Sequence, residues 1–166
     1  MTPRSAASKI VSRTELLRRL GRPREGALVF TNGVFDLIHR GHATYLEAAR
    51  ALGDTLVVGV NSDASARRLG KGVGRPVTGE TDRALLLSAL ECVDQVCLFD
   101  EDTPASLIEA LLPDVLVKGG DYDVEGIVGR AAVEESGGRV EVIPLVEGFS
   151  TSDIVDRIQA LDPPTA

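Results

Sequence analysis

Both histidines of the chain fall in one short stretch, TNGVFDLIHRGH, residues 31–42. They are His39 and His42, with Gly41 between them and Asp36 just upstream. Before them, ALVFTN (27–32) is an apolar run that stops at Gly33; after them, GHATYLEAARALG carries helical periodicity. The pair therefore sits where a strand gives way to a helix. Free backbone N–H groups and the positive end of the dipole make a helix N-terminus a ready anion site. Imidazoles beside such a terminus add two more nitrogen donors. The combination suits phosphate. Two other readings compete. Packing or capping histidines would not need to bracket a glycine at the turn. A metal site would need a third ligand, and no spacing supplies one.

Three further segments carry residues of use to an anionic ligand. Ser150, Thr151 and Ser152 precede an apolar helical run, with Arg157 about two turns in. Hydroxyl residues are favoured helix caps in any case, yet the same hydroxyls and amides can hold a second phosphate. Residues 62–83 hold Asp63, Arg67, Arg68, Lys71, Arg75 and Arg83. They form either a solvated face or a cationic flap over a multiply charged ligand, with Lys71 and Arg83 the favoured members. GKGVG (70–74) is not a nucleotide-binding loop of the Walker type, since it neither follows a strand nor opens a helix. In KGGDY (118–122), Lys118 ends an apolar run, and Gly119 lets backbone approach a ligand closely. Asp121 and Tyr122 can face a sugar or base, or form a polar turn.

The elements that must position these residues alternate along the chain. Strands are expected at 27–32, 55–60, 95–99, 114–118 and 139–145. Helices are expected at 12–21 with a Ser12/Glu15 capping box, at 41–53, and from Ser62 to about 70. Further helices are expected at 81–93 behind Thr81, at 103–112 with Pro104 in the first position, at 124–136 and at 150–161. Short apolar strands separated by helices imply an α/β domain, a parallel sheet covered on both faces with right-handed crossovers. Ligands of such sheets bind beyond the carboxyl ends of the strands. Loops 33–42, 118–123 and 146–153 all leave strand ends there.

At 166 residues the chain reads as one domain, with its core at about 9–160 and loose tails at 1–8 and 162–166. The net charge of −7 argues against a nucleic-acid partner, which needs a basic face. No apolar run approaches the roughly 20 residues of a membrane span, and the first ten residues lack the apolar stretch of a secretory signal. A cytoplasmic protein is expected. Cys92 and Cys97 lack metal or redox spacing and read as reduced core thiols.

With these residues assembled, the chain resembles the cytidylyltransferase-like nucleotidyltransferases. Their H-x-G-H turn stands here as HRGH, and their S-T-rich helix start as EGFSTSDI. FTNGVFDLIHRGHATYLEAARALGDTLVVGVNSDASARRL, DEDTP, DVLVKGGDY and IPLVEGFSTSDIV narrow the likeness to the stand-alone bacterial D-glycero-β-D-manno-heptose 1-phosphate adenylyltransferases, over residues 9–160. The resemblance implies a single Rossmann-like domain whose five parallel strands run in the order 3-2-1-4-5. It implies transfer of AMP from ATP to heptose 1-phosphate, with Mg²⁺ held mainly through the ATP phosphates and no metal-ligating residues. It implies a homodimer. His39, His42, Lys71 and Arg83 take the catalytic positions. Thr31, Asn32, Gly33, Phe35, Gly41, Lys118, Gly119, Val146, Glu147, Ser150 and Thr151 match the nucleotide site. Asp36, Asn61, Asp63, Arg67, Asp121 and Tyr122 match the sugar-phosphate site.

Two departures from the pattern matter. Cytidine-using relatives carry Arg-Thr where this chain has Leu145 and Val146, and an apolar pair favours adenine over cytosine. Ser152 replaces the third hydroxyl residue of S-T-T and keeps the hydroxyl. The alternatives are a cytidylyltransferase acting on a glycerol or polyol phosphate, and a nucleotide-binding module without turnover.

Overall fold

The computed structural model describes residues 5–120 and 123–161. Five strands, β1 (Leu28–Gly33), β2 (Thr55–Asn61), β3 (Gln95–Phe99), β4 (Val115–Gly119) and β5 (Arg139–Ile143), form one sheet in the order β3-β2-β1-β4-β5. Every neighbouring pair is parallel. The α/β class and strand order thus stand as the sequence implied. Seven helices accompany the strands among the described residues: α1 (Arg13–Leu20), α2 (Arg40–Arg50), α3 (Asp63–Arg68), α4 (Glu80–Ala89), α5 (Ala105–Leu111), α6 (Arg130–Glu135) and α7 (Thr151–Gln159).

Strand periodicity sends alternate residues to opposite faces. On one face Val29, Val58, Val115 and Val117 pack with Tyr45, Leu46 and Ala49 of α2 and with Ala84 and Leu87 of α4. On the other, Leu28, Phe30, Val57 and Leu116 pack with Leu16 of α1, with Leu107, Ile108 and Leu111 of α5, and with Val133 of α6. Near the amino ends of the strands, carboxylates take up main-chain donors. Asp54 accepts from the Ala27 amide at 2.7 Å, Asp94 from Leu56 at 2.8 Å, and Asp114 from Leu28 at 2.8 Å. Asp114 is also gripped by Arg22 and Arg24. The carboxyl ends of the strands are left to the loops that bear the chemistry.

Several boundaries differ from expectation. Helix α4 starts at Glu80 with Gly79 as its cap, so Thr81 lies inside the first turn, and it stops at Ala89 because Leu90 turns extended. Pro104 is the cap of α5 rather than its first residue, and Leu112 closes that helix in a left-handed conformation. The segment expected as one helix over 124–136 splits into a 3-10 turn at Val124–Gly126 and α6. Gly129, at φ +86°, intervenes, where a side chain would strike Ile108. Strand β5 ends at Ile143 because Pro144 has no N–H for the ladder. Residues 6–9, read partly as tail, form a 3-10 turn that the Lys9 ammonium ties to the Leu90 carbonyl at 3.0 Å. Ser12 caps α1 by accepting from the Glu15 amide, but the Glu15 carboxylate turns to Arg18 and Arg19 instead of completing the box.

Leu116, fully buried on an interior strand, tests how tightly the two layers pack. We expect Leu116→Ala to lower the unfolding free energy by about 2–5 kcal/mol through lost burial plus a cavity, measured by urea denaturation.

Candidate active site

The carboxyl ends of β1 and β4 open into a cavity of about 570 Å³. Its wall includes Asn32, Gly33 and Phe35 after β1, His39, Gly41 and His42 at the start of α2, and Lys118 and Gly119 at the end of β4. Lys71, Arg75 and Pro76 close it from the loop between α3 and α4. Leu145, Phe149 and residues 150–152 close it from the loop that leads into α7.

His39 takes the cap position of α2, in extended conformation, with no capping bond from its side chain. Its ring stacks on that of His42, centroids 3.9 Å apart and planes 23° from parallel. Phe35, held at φ +51°, sets its ring edge-on against His42 at 5.2 Å. The glycine between the histidines has a steric reason: a Cβ on Gly41 would stand 2.9 Å from Cε1 of His39. Nδ1 of each ring is buried without a hydrogen-bond partner. Burial is the chief cause that holds the His42 imidazole at about 4, aided by His39 and Lys71 and opposed by the Leu37 backbone. Burial lowers His39 too, against the pull of Asp153. Both rings are therefore neutral at pH 7.

The other donors come from separate elements. The Lys118 ammonium donates to Oδ1 of Asn32 at 2.7 Å, and burial depresses its pKa. Ser150 caps α7 by accepting from the Asp153 amide at 3.0 Å, so the capping role and a place on the cavity wall coexist. Thr151 donates to the Leu37 carbonyl at 3.3 Å, which ties the start of α7 to the histidine turn. Arg40 lies over the Phe149 ring, 5.4 Å from its centroid. Residue chemistry alone does not single out Phe149, although a large aromatic inside EGFSTSDI is a legible signal.

Other assigned residues lie behind the wall. Thr31 is buried and bonded to the Tyr45 hydroxyl at 2.6 Å. Asn61 donates to Ser65 at 2.9 Å, bracing α3. Arg83, expected beside the phosphates, is fully buried. Its guanidinium donates to the carbonyls of Val34 and Thr78 and to the carboxylate of Asp63. Those bonds also occupy Asp63. Asp36 lines the cavity, but both its oxygens are engaged: Oδ2 by Arg75 at 2.6 Å, and Oδ1 by the amides of Val77 and Thr78. Arg67, Val146 and Glu147 do not line the cavity, and Arg67 and Glu147 are exposed. Asp121 and Tyr122 lie outside the described residues. Among the described residues no cluster of His, Cys, Asp or Glu is placed to hold a metal ion, and no helix is long and apolar enough to cross a membrane.

Comparison with known proteins places this geometry. The cytidylyltransferase-like family profile matches residues 30–157. The chain is 63% identical over 131 residues to the bifunctional protein HldE of Citrifermentans bemidjiense, covering 79% of this chain and 27% of that protein. It is 54% identical over 157 residues to the bifunctional protein HldE of Trichlorobacter lovleyi, covering 93% and 32%. The chain thus spans about a third or less of these curated relatives. A lipopolysaccharide core biosynthesis protein from Thermoplasma volcanium superposes with a TM-score of 0.61 at 30% identity, over 75% of this chain and 99% of that one. Pantothenate synthetase from Thermus thermophilus shares the fold, with a TM-score of 0.57 at 22% identity over 92% and 70%. The match over residues 30–157 takes in both the histidine turn and the start of α7, and the chain belongs to the cytidylyltransferase-like family.

Proposed function

We propose that the chain moves AMP from ATP onto D-glycero-β-D-manno-heptose 1-phosphate, giving ADP-heptose and pyrophosphate. The observation that carries this reading is the stacked imidazole pair at the N-terminus of α2 on the cavity wall. Imidazoles on a cavity wall at a helix N-terminus present nitrogen donors to an anionic ligand. A triphosphate offers oxygens to the rings, to the free amides of α2 and α7, and to Lys71 and Lys118.

An oxygen of the sugar phosphate attacks the α-phosphorus. The new P–O bond forms as the bond to the bridging oxygen breaks, and pyrophosphate leaves with the electron pair. This nucleophile is already anionic and needs no general base. That suits a wall whose one carboxylate among the described residues, Asp36, is engaged by three donors. Catalysis then rests on positioning and on donors aimed at charge developing on the phosphoryl oxygens. With Asp36 so engaged, Mg²⁺ would ride on the phosphates. Leu145 on the wall, in place of an arginine, supports adenine over cytosine. The Thermoplasma neighbour's role in lipopolysaccharide core biosynthesis supports a sugar-phosphate acceptor. The homodimer carries over from the family resemblance.

Pyrophosphate release across a panel of nucleotides and sugar 1-phosphates tests the assignment. ATP with the heptose phosphate should be the best pair, and a preference for CTP with a polyol phosphate would replace it with the cytidylyltransferase alternative. His39→Ala and His42→Ala should each lower turnover by about a hundredfold or more while the fold survives, as deletion of an oxyanion donor does.

The ring protons of His42 offer an independent readout by NMR. In the free protein they should titrate at about 4, below the ordinary histidine value of 6.5. ATP should raise that midpoint, since phosphate charge favours the imidazolium. Between about 4 and 6.5 the unfolded chain binds more protons at this residue than the folded one. Stability should therefore fall as pH drops from 6.5 toward 4, and His42→Asn should flatten the slope. A midpoint indifferent to ATP would remove the rings from the phosphate chain.

A further inference from the structure

The loop at 70–79, between α3 and α4, carries Lys71 and Arg75 to the cavity. Its outer half has little to hold it. Gly70, Gly72 and Gly74 all have positive φ, a Cβ on Gly70 or Gly74 would meet nothing within 4 Å, and Val73 is fully exposed. Left alone, such a segment would scatter the Lys71 ammonium over many positions. Its inner half is held at one buried point. Oδ1 of Asp36 accepts from the amides of Val77 at 2.8 Å and Thr78 at 2.9 Å, and Oδ2 accepts from Nε of Arg75 at 2.6 Å. Arg83, from α4, closes the brace by donating to the Thr78 carbonyl at 2.9 Å and the Val34 carbonyl at 2.6 Å. One tie thus holds the loop, and the other holds the β1 turn two residues before Asp36.

A carboxylate facing a phosphate cavity repels the ligand unless its charge is engaged. Asp36 is 4% exposed, and each of its oxygens is engaged by the loop. Burial alone would push its pKa up, but the Thr78 and Val77 amides and the Arg75 guanidinium outweigh it, so the carboxyl sits below its ordinary value. The group is built to stay ionised for the loop rather than to meet a sugar.

We infer that Asp36 is a positioning residue, which together with the buried Arg83 fixes the loop that carries Lys71 over the phosphate site. The importance of Lys71 rests on the adenylyl-transfer reading above; the brace itself does not.

Two measurements on Asp36→Asn test this. An amide keeps one acceptor and turns the other into a donor, so either Arg75 or the paired backbone amides lose their partner. Trypsin should then cut the Lys71–Gly72 bond about tenfold faster or more, at a temperature where thermal melts show both proteins folded. In turnover, Asp36→Asn should lower kcat by about tenfold, yet cost less than about twofold when added to Lys71→Ala, because the two residues act as one unit. Should Asp36→Asn fail to fold, Arg75→Gln carries the same test and should also speed cleavage at Lys71. Unchanged cleavage would overturn the inference. So would fully additive losses, which would make Asp36 a direct substrate contact. If no nucleotide and sugar phosphate pair yields pyrophosphate, the functional reading fails while the cleavage rates still decide the brace.

Discussion

Two imidazole rings stacked 3.9 Å apart cannot both carry a proton at moderate cost, and much of the site follows from that. Each ring is neutral at pH 7, and each keeps an unpaired nitrogen. A neutral ring can still donate one hydrogen bond. That bond strengthens as its acceptor gathers negative charge, and the ring grows more basic beside it. In the proposed reaction the response would be strongest when the phosphoryl group gathers charge in its transition state, which is where stabilisation accelerates a reaction.

Holding two such rings in contact needs a rigid surround, and the fold supplies it from four directions. Gly41 leaves the space that the His39 ring fills, and a single Cβ there would collide with it. Phe35 accepts a left-handed backbone to press its edge on His42. Phe149 packs over the Gly41 position and under Arg40, and Thr151 clasps the Leu37 carbonyl from α7. Behind these stands the sheet, with β1 paired along its length to β2 and flanked by β4. The helices α2 and α7, whose N-termini face the cavity, are therefore joined to each other as well as to the sheet.

The layers of this fold were legible because strands buried on both faces need continuous apolar runs, and helices need caps. LVFTNG and TLVVGVN meet the first requirement, and Ser12, Ser62 and Ser150 the second. The histidine turn was legible because its residue types are scarce and sit together. What escaped was the direction in which polar side chains point. Arg83 and Lys71 look alike in a basic segment, yet Lys71 lies on the cavity wall and Arg83 is fully buried beneath it. Asp36, Asn61 and Thr31 lie in or just after the carboxyl-terminal halves of strands, and their hydrogen bonds turn them inward to brace loops and helices. Partner choice of that kind depends on residues distant in the chain, such as Asp36 with Thr78. A local reading of types and spacing has no access to it.

A chain of net charge −7 would have to hold the proposed polyanion by short-range means. At physiological salt the repulsion of distant carboxylates is screened within about 8 Å, so only groups on the cavity wall decide the outcome. Of the wall cations, Arg75 is paired with Asp36, whereas the hydrogen-bond partner of Lys118 is the uncharged Asn32. A half-buried ammonium without a carboxylate partner is costly, and a phosphate in the cavity would relieve that cost. The histidines alone cannot say which end of the ligand meets them. Lys118 at the end of β4 and the hydroxyls at the start of α7 lie on different elements from the rings, so the proposed triphosphate would be gripped at several separated points. That spread favours an extended chain of phosphates over a lone anion, which can satisfy only one of them at a time.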